Sequence, residues 1–298
     1  MTRIAGIAVI LMAAVCCLHA DNLNEINEGI TTDLMRELLL EKSFKTGLNG
    51  RGISGFFLTS SAESIFEKGF FLGGELSNID AKISGDITRI TGISAIGAYG
   101  LKHELPGPFD DLEISGKIPV LYKDDPSDSV LGLGDMLVSV KTGILEEDPF
   151  KPTVPAISII ATLMLPTGDD DLEYVDSFGL EGGVILGKTL SDADEEAEFR
   201  VNLELLADYI SYNDTSDMFF KMNLGMGFPI EGVQDMYLMI ELGLVSNSDA
   251  HQEDGTVVCA GIRYRKEKYN ASLCFMTRSY DDQDRRDNII LASYVRKF

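Results

Sequence analysis

The sequence predicts an all-β fold, a transmembrane antiparallel β-barrel of about twelve strands preceded by a short amphipathic helix, and three observations carry that expectation. From about residue 52 to the end, segments of roughly ten residues alternate apolar and polar, the length a tilted strand needs to cross a bilayer. Turn-forming and acidic clusters separate these segments. Beyond residue 20 no apolar stretch approaches the roughly 20 residues of a spanning helix, so any membrane insertion must be made by strands.

Residues 1–20 read as a signal peptide. Arg3 gives a positive start, Ile4 to Leu18 is almost wholly apolar, and Leu18-His19-Ala20 ends in a small residue before Asp21. The residues before Cys16 and Cys17 do not form a lipoprotein signal, so cleavage after Ala20 is the expectation. Residues 21–50 form a helix and linker. Ile26, Ile30, Leu34, Leu38 and Leu39 recur at helical spacing among Asn, Glu and Thr over Asp21 to Phe44. Such a helix can plug a barrel, meet a partner, or simply pack on the barrel end.

The barrel is assigned to residues 51–298. Its strands are expected at 68–78, 88–102, 109–121, 133–144, 155–166, 177–189, 196–210, 217–228, 234–246, 256–265, 269–279 and 287–298. The clearest is Met218 to Phe228, where Met222, Leu224, Met226 and Phe228 face one way and Lys221, Asn223, Gly225 and Gly227 the other. Alternation blurs in 52–60 and 88–102, so the pattern is compatible with ten to fourteen strands. An even number brings both ends to one side of the membrane. The Asp-rich segments Tyr122–Gly132, Gly168–Asp176, Ser211–Asp217, Ser246–Gly255 and Tyr280–Asp287 then become outer loops. Lys266-Glu267, Pro106-Gly107 and Ile230-Glu231-Gly232 become short inner turns, and Leu145–Thr153 is longer than such turns usually are. A soluble sandwich also alternates, but here the second face carries Gly and mixed charge instead of another buried layer.

Composition narrows the function. A net charge of −23 and a pI near 4.4 argue against a nucleic-acid partner, which requires a clustered basic surface. Past the leader only Cys259 and Cys274 remain, too few for a disulfide scaffold. No His and Cys spacing suggests zinc, and no phosphate-cradling or dinucleotide motif is present, so no metal and no cofactor are expected. His251 lies among Asp249 and Asp254 in an outer loop and His103 near a turn, the poor remnant of any rim hydrolase; no catalytic residue is assigned. Asp169-Asp170-Asp171 reads as a solvated loop tip, with a cation bridge to lipopolysaccharide as the alternative.

The inward-facing charges on this register are Glu113, Lys117, Asp135, Lys141, Glu181, Arg200, Glu204, Asp208, Lys221, Glu241, Arg263, Arg265 and Arg278. Opposed charges in a lumen can set the field of a water-filled pore or close it through cross-strand ion pairs. Cys259 and Cys274 also point inward. A two-residue turn at Lys266-Glu267 sets them directly opposite each other, where a disulfide can form.

Two resemblances add to this reading. The C-terminal Ile290-Leu291-Ala292-Ser293-Tyr294-Val295-Arg296-Lys297-Phe298 resembles the signal by which the outer-membrane assembly machinery recognises barrels; Tyr294 and Phe298 fit it and Arg296 departs from it. Gly132-Leu133-Gly134-Asp135, Val140-Lys141-Thr142-Gly143 and Leu163-Met164-Leu165-Pro166-Thr167-Gly168-Asp169 resemble the family of MetA-pathway phenol-degradation proteins, over about residues 65–298. That resemblance implies an outer-membrane barrel admitting small, often hydrophobic solutes. Read from its residues alone, Leu165 to Gly168 is a strand exit, because Pro166 lacks a ladder donor and Gly168 permits a turn.

The expected protein is therefore a monomeric, non-enzymatic outer-membrane channel or transporter for a small solute, inserted by the barrel assembly machinery among lipid and lipopolysaccharide. The alternative is a non-transporting structural or surface-display barrel.

Overall fold

The computed structural model describes residues 47–48, 51, 54–55, 58–62, 69–83, 86–102, 111–124, 128–147, 154–169, 172, 177–191, 198–212, 215–247, 254–266, 269–280 and 286–298. The expected leader and amphipathic helix, His103, His251, Asp249, Asp170 and Asp171 lie outside the described residues.

A short hairpin, β1 (Gly47–Leu48) with β2 (Ser54–Gly55), precedes the wall. The wall is built from β3 (Gly69–Ile83), β4 (Asp86–Lys102), β5 (Asp111–Asp124), β6 (Ser129–Leu133), β7 (Met136–Leu145), β8 (Ala156–Leu165) and β9 (Ser177–Ser191). It continues through β10 (Glu198–Tyr212), β11 (Thr215–Pro229), β12 (Met236–Asn247), β13 (Gly255–Lys266), β14 (Tyr269–Tyr280) and β15 (Arg286–Lys297). Each strand pairs antiparallel with the next, and β15 returns to β3 from Arg286↔Lys82 to Lys297↔Phe71. β6 and β7 pair with successive parts of β5 and act as one wall strand, so the barrel is closed and twelve-stranded. Every expected strand is present.

Alternation sets the facing. On β3, Phe70, Leu72 and Leu76 are exposed while Phe71 and Glu75 are buried. On β15, Ile290 and Tyr294 are exposed while Leu291 and Val295 are buried. The outer face is thus an apolar band, which a closed ladder with no free edge can present to lipid. Near the C-terminal rim that band turns aromatic: Tyr269 lies 6.1 Å from Tyr264 and 6.4 Å from Tyr294, ring to ring, and Phe199 stacks on Phe228 at 5.6 Å. Rings of this kind favour the membrane interface.

Two expectations are corrected. Tyr122–Gly132 is not all loop, because Val120–Asp124 pairs with Ser129–Leu133 and carries the wall outward. Within that strand, Lys117↔Leu137 and Val120↔Leu133 leave 134–136 facing 118–119, a one-residue bulge. It sits at Pro119, which has no N–H to give a regular ladder, and the Gly134 N–H donates to the Pro119 carbonyl at 2.9 Å. Among the described residues the wall starts at Gly69, and Arg51 and residues 58–62 lie inside it. Second, Lys266↔Tyr269 is a ladder pair, so the expected turn at Lys266-Glu267 does not hold. The register slips by two, opposing Cys259 to Met276 and Cys274 to Gly261. An even slip keeps every side chain on its face.

Candidate functional site

Buried backbone needs hydrogen-bond partners, and a segment inside the barrel can find them in the side chains of the wall. The lumen segment does so. The N–H groups of Leu58 and Thr59 donate to Glu241 at 2.9 and 2.7 Å, and that of Ser60 to Glu204 at 3.4 Å. In the other direction Lys141 Nζ donates to the Ser61 carbonyl at 3.0 Å and Ser158 Oγ to the Ala62 carbonyl. Thr59, Ser60, Ser61 and Ala62 are all buried. Ala62 packs with Ala156, Ile160, Ile185 and Leu206 of the wall. Gly187 makes room for it: a Cβ there would lie 2.9 Å from the Ala62 Cβ and closer still to Asn202 and Arg200.

Arg51 clamps the same segment to three strands. Its Nε meets Glu181 at 2.7 Å, its Nη1 meets Glu204 at 3.3 Å and the Leu58 carbonyl at 3.0 Å, and its own carbonyl accepts from Ser115 Oγ. Burial lowers the guanidinium pKa, but Glu204 and Glu181 outweigh burial and leave it above its ordinary value. Stability from a raised basic group is present below its unfolded pKa and fades only as pH climbs through the folded one. Both lie far into alkali, so the cation side of the clamp does not titrate under working conditions.

The inward charges fall into separate groups. Glu181, Glu204, Asp208 and Lys221 join through Arg51 and through Lys221, whose Nζ reaches Glu181 at 2.9 Å and Asp208 at 2.7 Å. Asn223 adds a 2.8 Å bond to Glu204. Glu113 and Lys141 form a fully buried pair at 3.0 Å. Lys117 meets Glu75 at 2.6 Å, a partner that alternation offers and the sequence reading omitted. Arg200 meets Glu147 at 3.2 Å.

Glu147 also takes Lys188 at 2.9 Å and the Thr189 N–H at 2.9 Å, and it comes from the segment after β7 that is too long for a simple turn. That excess length was the available signal. Glu241 serves the lumen segment. Arg263 is buried and donates to Ser272 Oγ at 2.9 Å, while Arg265 is half-buried. Arg278 reaches Tyr280 at 3.5 Å, which donates to Asp287 at 2.9 Å.

Asp135 has a different part. Its Oδ1 accepts the N–H groups of Thr167 and Gly168 at 3.1 and 3.0 Å, while Asp169 Oδ2 accepts the Leu133 N–H at 2.6 Å. Thr167 Oγ1 accepts from the Met136 N–H at 3.0 Å. The Gly-Leu-Gly-Asp and Leu-Pro-Thr-Gly-Asp segments are thus two halves of one lock that fixes the bulge to the end of β8. Asp169 belongs to that lock rather than to a free acidic tip.

Cys259 and Cys274 are buried side by side, with Sγ atoms 2.9 Å apart. They are neighbours on the diagonal, not directly opposed. At the end of the chain the Phe298 N–H donates to the Phe70 carbonyl at 2.9 Å, and Arg296, the departure from the C-terminal signal, places its guanidinium 5.3 Å from the Phe298 ring. Among the described residues no group of three or more His, Cys, Asp or Glu is arranged to hold a metal ion, and no helix is long and apolar enough to cross a membrane.

No family model matches the chain, and no curated protein matches it. Solved structures do. The COG4313 outer membrane channel from Pseudomonas putida F1 is similar at a TM-score of 0.61 and 15% identity, over 80% of this chain and 98% of that one. The beta domain of the Bordetella autotransporter BrkA is similar at 0.50 and 12% identity, over 77% and 99%. The translocator domain of autotransporter NalP from Neisseria meningitidis is similar at 0.50 and 8% identity, over 78% and 90%. At such identities the likeness is one of fold, and the fold shared is the outer-membrane β-barrel.

Proposed function

We propose that the chain is a porin-like channel of the bacterial outer membrane for a small solute, closed at rest by Arg51 and residues 58–62. The observation that carries this reading is how the lumen is filled. The segment is held through carboxylates, a lysine, a serine and one arginine clamp, bonds that water can replace one by one. A purely structural barrel has no need of a replaceable filling.

The likeness to the COG4313 outer membrane channel supports the channel reading, as does the resemblance of the Gly-Leu-Gly-Asp and Leu-Pro-Thr-Gly-Asp motifs to the MetA-pathway family. From that family we take a small, often hydrophobic solute as the expected cargo. A monomer among lipid and lipopolysaccharide, delivered by a cleaved signal peptide, completes the proposal. Recognition by the assembly machinery is assigned to Tyr294 and Phe298. Deleting Phe298 is expected to lower membrane insertion while secretion continues; unchanged insertion would remove that role.

The test of function is conductance and solute flux in reconstituted bilayers, comparing the whole protein with a variant lacking residues 47–62. The variant should keep its heat-modifiable gel mobility and conduct far more. A folded, correctly inserted variant that passes neither ions nor solutes would leave the structural or display barrel as the better reading.

A further inference from the structure

The inner wall is not polar all round. Where β12, β13 and β14 meet, Cys259 and Cys274 share a buried apolar cluster with Met239, Val257, Met276 and Leu291, and Leu58 of the lumen segment packs on it. Their Sγ atoms, 2.9 Å apart, are closer than two non-bonded sulfurs ordinarily sit. The register explains how they meet. Cys259 is opposed by Met276 and Cys274 by Gly261, two positions further along β13 on the same face. Gly261 presents no side chain opposite Cys274, so the Cys274 sulfur leans across the diagonal toward Cys259.

We infer that Cys259 and Cys274 are joined by a disulfide in the protein of the outer membrane, a covalent staple between β13 and β14 on the lumen side. The sulfurs need only close from 2.9 Å to a bond of roughly 2.05 Å. The periplasm that a barrel crosses on its way to the outer membrane is oxidising. The oxidant is a thiol–disulfide oxidoreductase in its disulfide form. One cysteine thiolate attacks that disulfide and releases one sulfur of the oxidant; the second cysteine thiolate attacks the mixed disulfide and releases the other. The new S–S bond forms as the oxidant's breaks, and two protons and two electrons leave with its dithiol.

Burial decides when this happens and how long it lasts. In the closed barrel Cys259 is 0% and Cys274 2% exposed, with Leu58 and Ile289 packed against their cluster. A protein oxidant cannot reach them there, so the bond belongs to the hairpin before β15 closes on β3. Once the barrel shuts, the same cover keeps reductants out. The position has a use. Glu241 opposes Cys259 from β12 and accepts the Leu58 and Thr59 N–H groups, so the staple stiffens the wall directly behind the anchor of the lumen segment. This inference rests on the barrel and its register, not on the channel reading.

The test uses the full wild-type chain exported by a Gram-negative host. Outer membranes are prepared with N-ethylmaleimide present throughout and then denatured in it, so any thiol still reduced is capped before it can oxidise. Trypsin cuts between the two cysteines at Arg263, Arg265 and Lys266, and the peptides are weighed with and without reduction. The Cys259 and Cys274 peptides should appear joined, two hydrogen masses lighter than their sum, and should separate on reduction. Maleimide on both cysteines of heat-modifiable protein would overturn the staple. A second measurement exposes folded barrel and heat-unfolded chain to the same dithiol reductant. The folded form should lose the bond roughly tenfold more slowly or better, because access limits exchange. Equal rates would overturn the sealed position.

Discussion

The wall and the segment it encloses obey different rules. Wall strands satisfy their backbones through ladders that run round the barrel without a free edge, so no strand can leave without breaking bonds on both sides. Residues 58–62 draw several of theirs from side chains borrowed from that wall. The first arrangement is all-or-none. The second can be undone locally, and the contrast teaches that closure and stability are separable in this molecule.

The sharpest way to break that contrast is E204A/E241A, which removes the acceptors of three backbone N–H groups in the lumen segment. Charge-assisted bonds are each worth roughly 1.5–3 kcal/mol. With the released groups free to bind water, a shift of about 3 kcal/mol, or roughly 100-fold in the ratio of open to closed, is expected. Single-channel recording should show long openings while the heat-modifiable band stays; loss of that band together with the openings would mean that segment and wall are one cooperative unit.

R51A should have a smaller effect of the same kind. Glu181 keeps Lys221 and Glu204 keeps Asn223, so only the clamp itself is lost, and roughly a tenfold gain in open fraction is expected. A pH series should find the same gain from neutral to mildly alkaline conditions, because the guanidinium stays charged throughout. D135A sharpens the comparison from the other side. It deprives Thr167 and Gly168 of their acceptor at the bulge, costing about 1–2 kcal/mol of wall stability and lowering the unfolding temperature while conductance stays as it was.

The strands were legible because alternation is enforced at every position by lipid outside and polar groups within. The inward set followed directly, as Glu113, Lys141, Glu204 and Glu241 illustrate. What they bind was not legible. Residues 51–62 carry no apolar period, and the place of Arg51, Ser61 and Ala62 is fixed by partners more than 50 residues away in sequence, a relation visible only once the barrel is closed.

The cysteine register failed for a local reason. A two-residue turn can be set at 266–267 or 267–268 with the same facing, and only the added pair Lys266↔Tyr269, beside Tyr264 and Tyr294, distinguishes them. The motif around Asp135 and Asp169 was recognised as a pattern before its use was visible. Its parts are joined across a bulge that Pro119 makes necessary.

The seam between β15 and β3 has a consequence for how the molecule is made. The last strand of the chain completes the first, so until Arg286–Lys297 arrives, β3 offers an open edge and the cylinder is a curling sheet. Loop closure over so much chain is slow, and the unfinished edge is a hazard in the meantime. Residues 51–62 precede β3 and are therefore made before any part of the wall. Their carboxylate partners on β9, β10 and β12 arrive well before the seam can shut. The natural order of events is for the sheet to wrap around its own leading segment as the strands accumulate, so that the barrel is born occupied and must be emptied to be used.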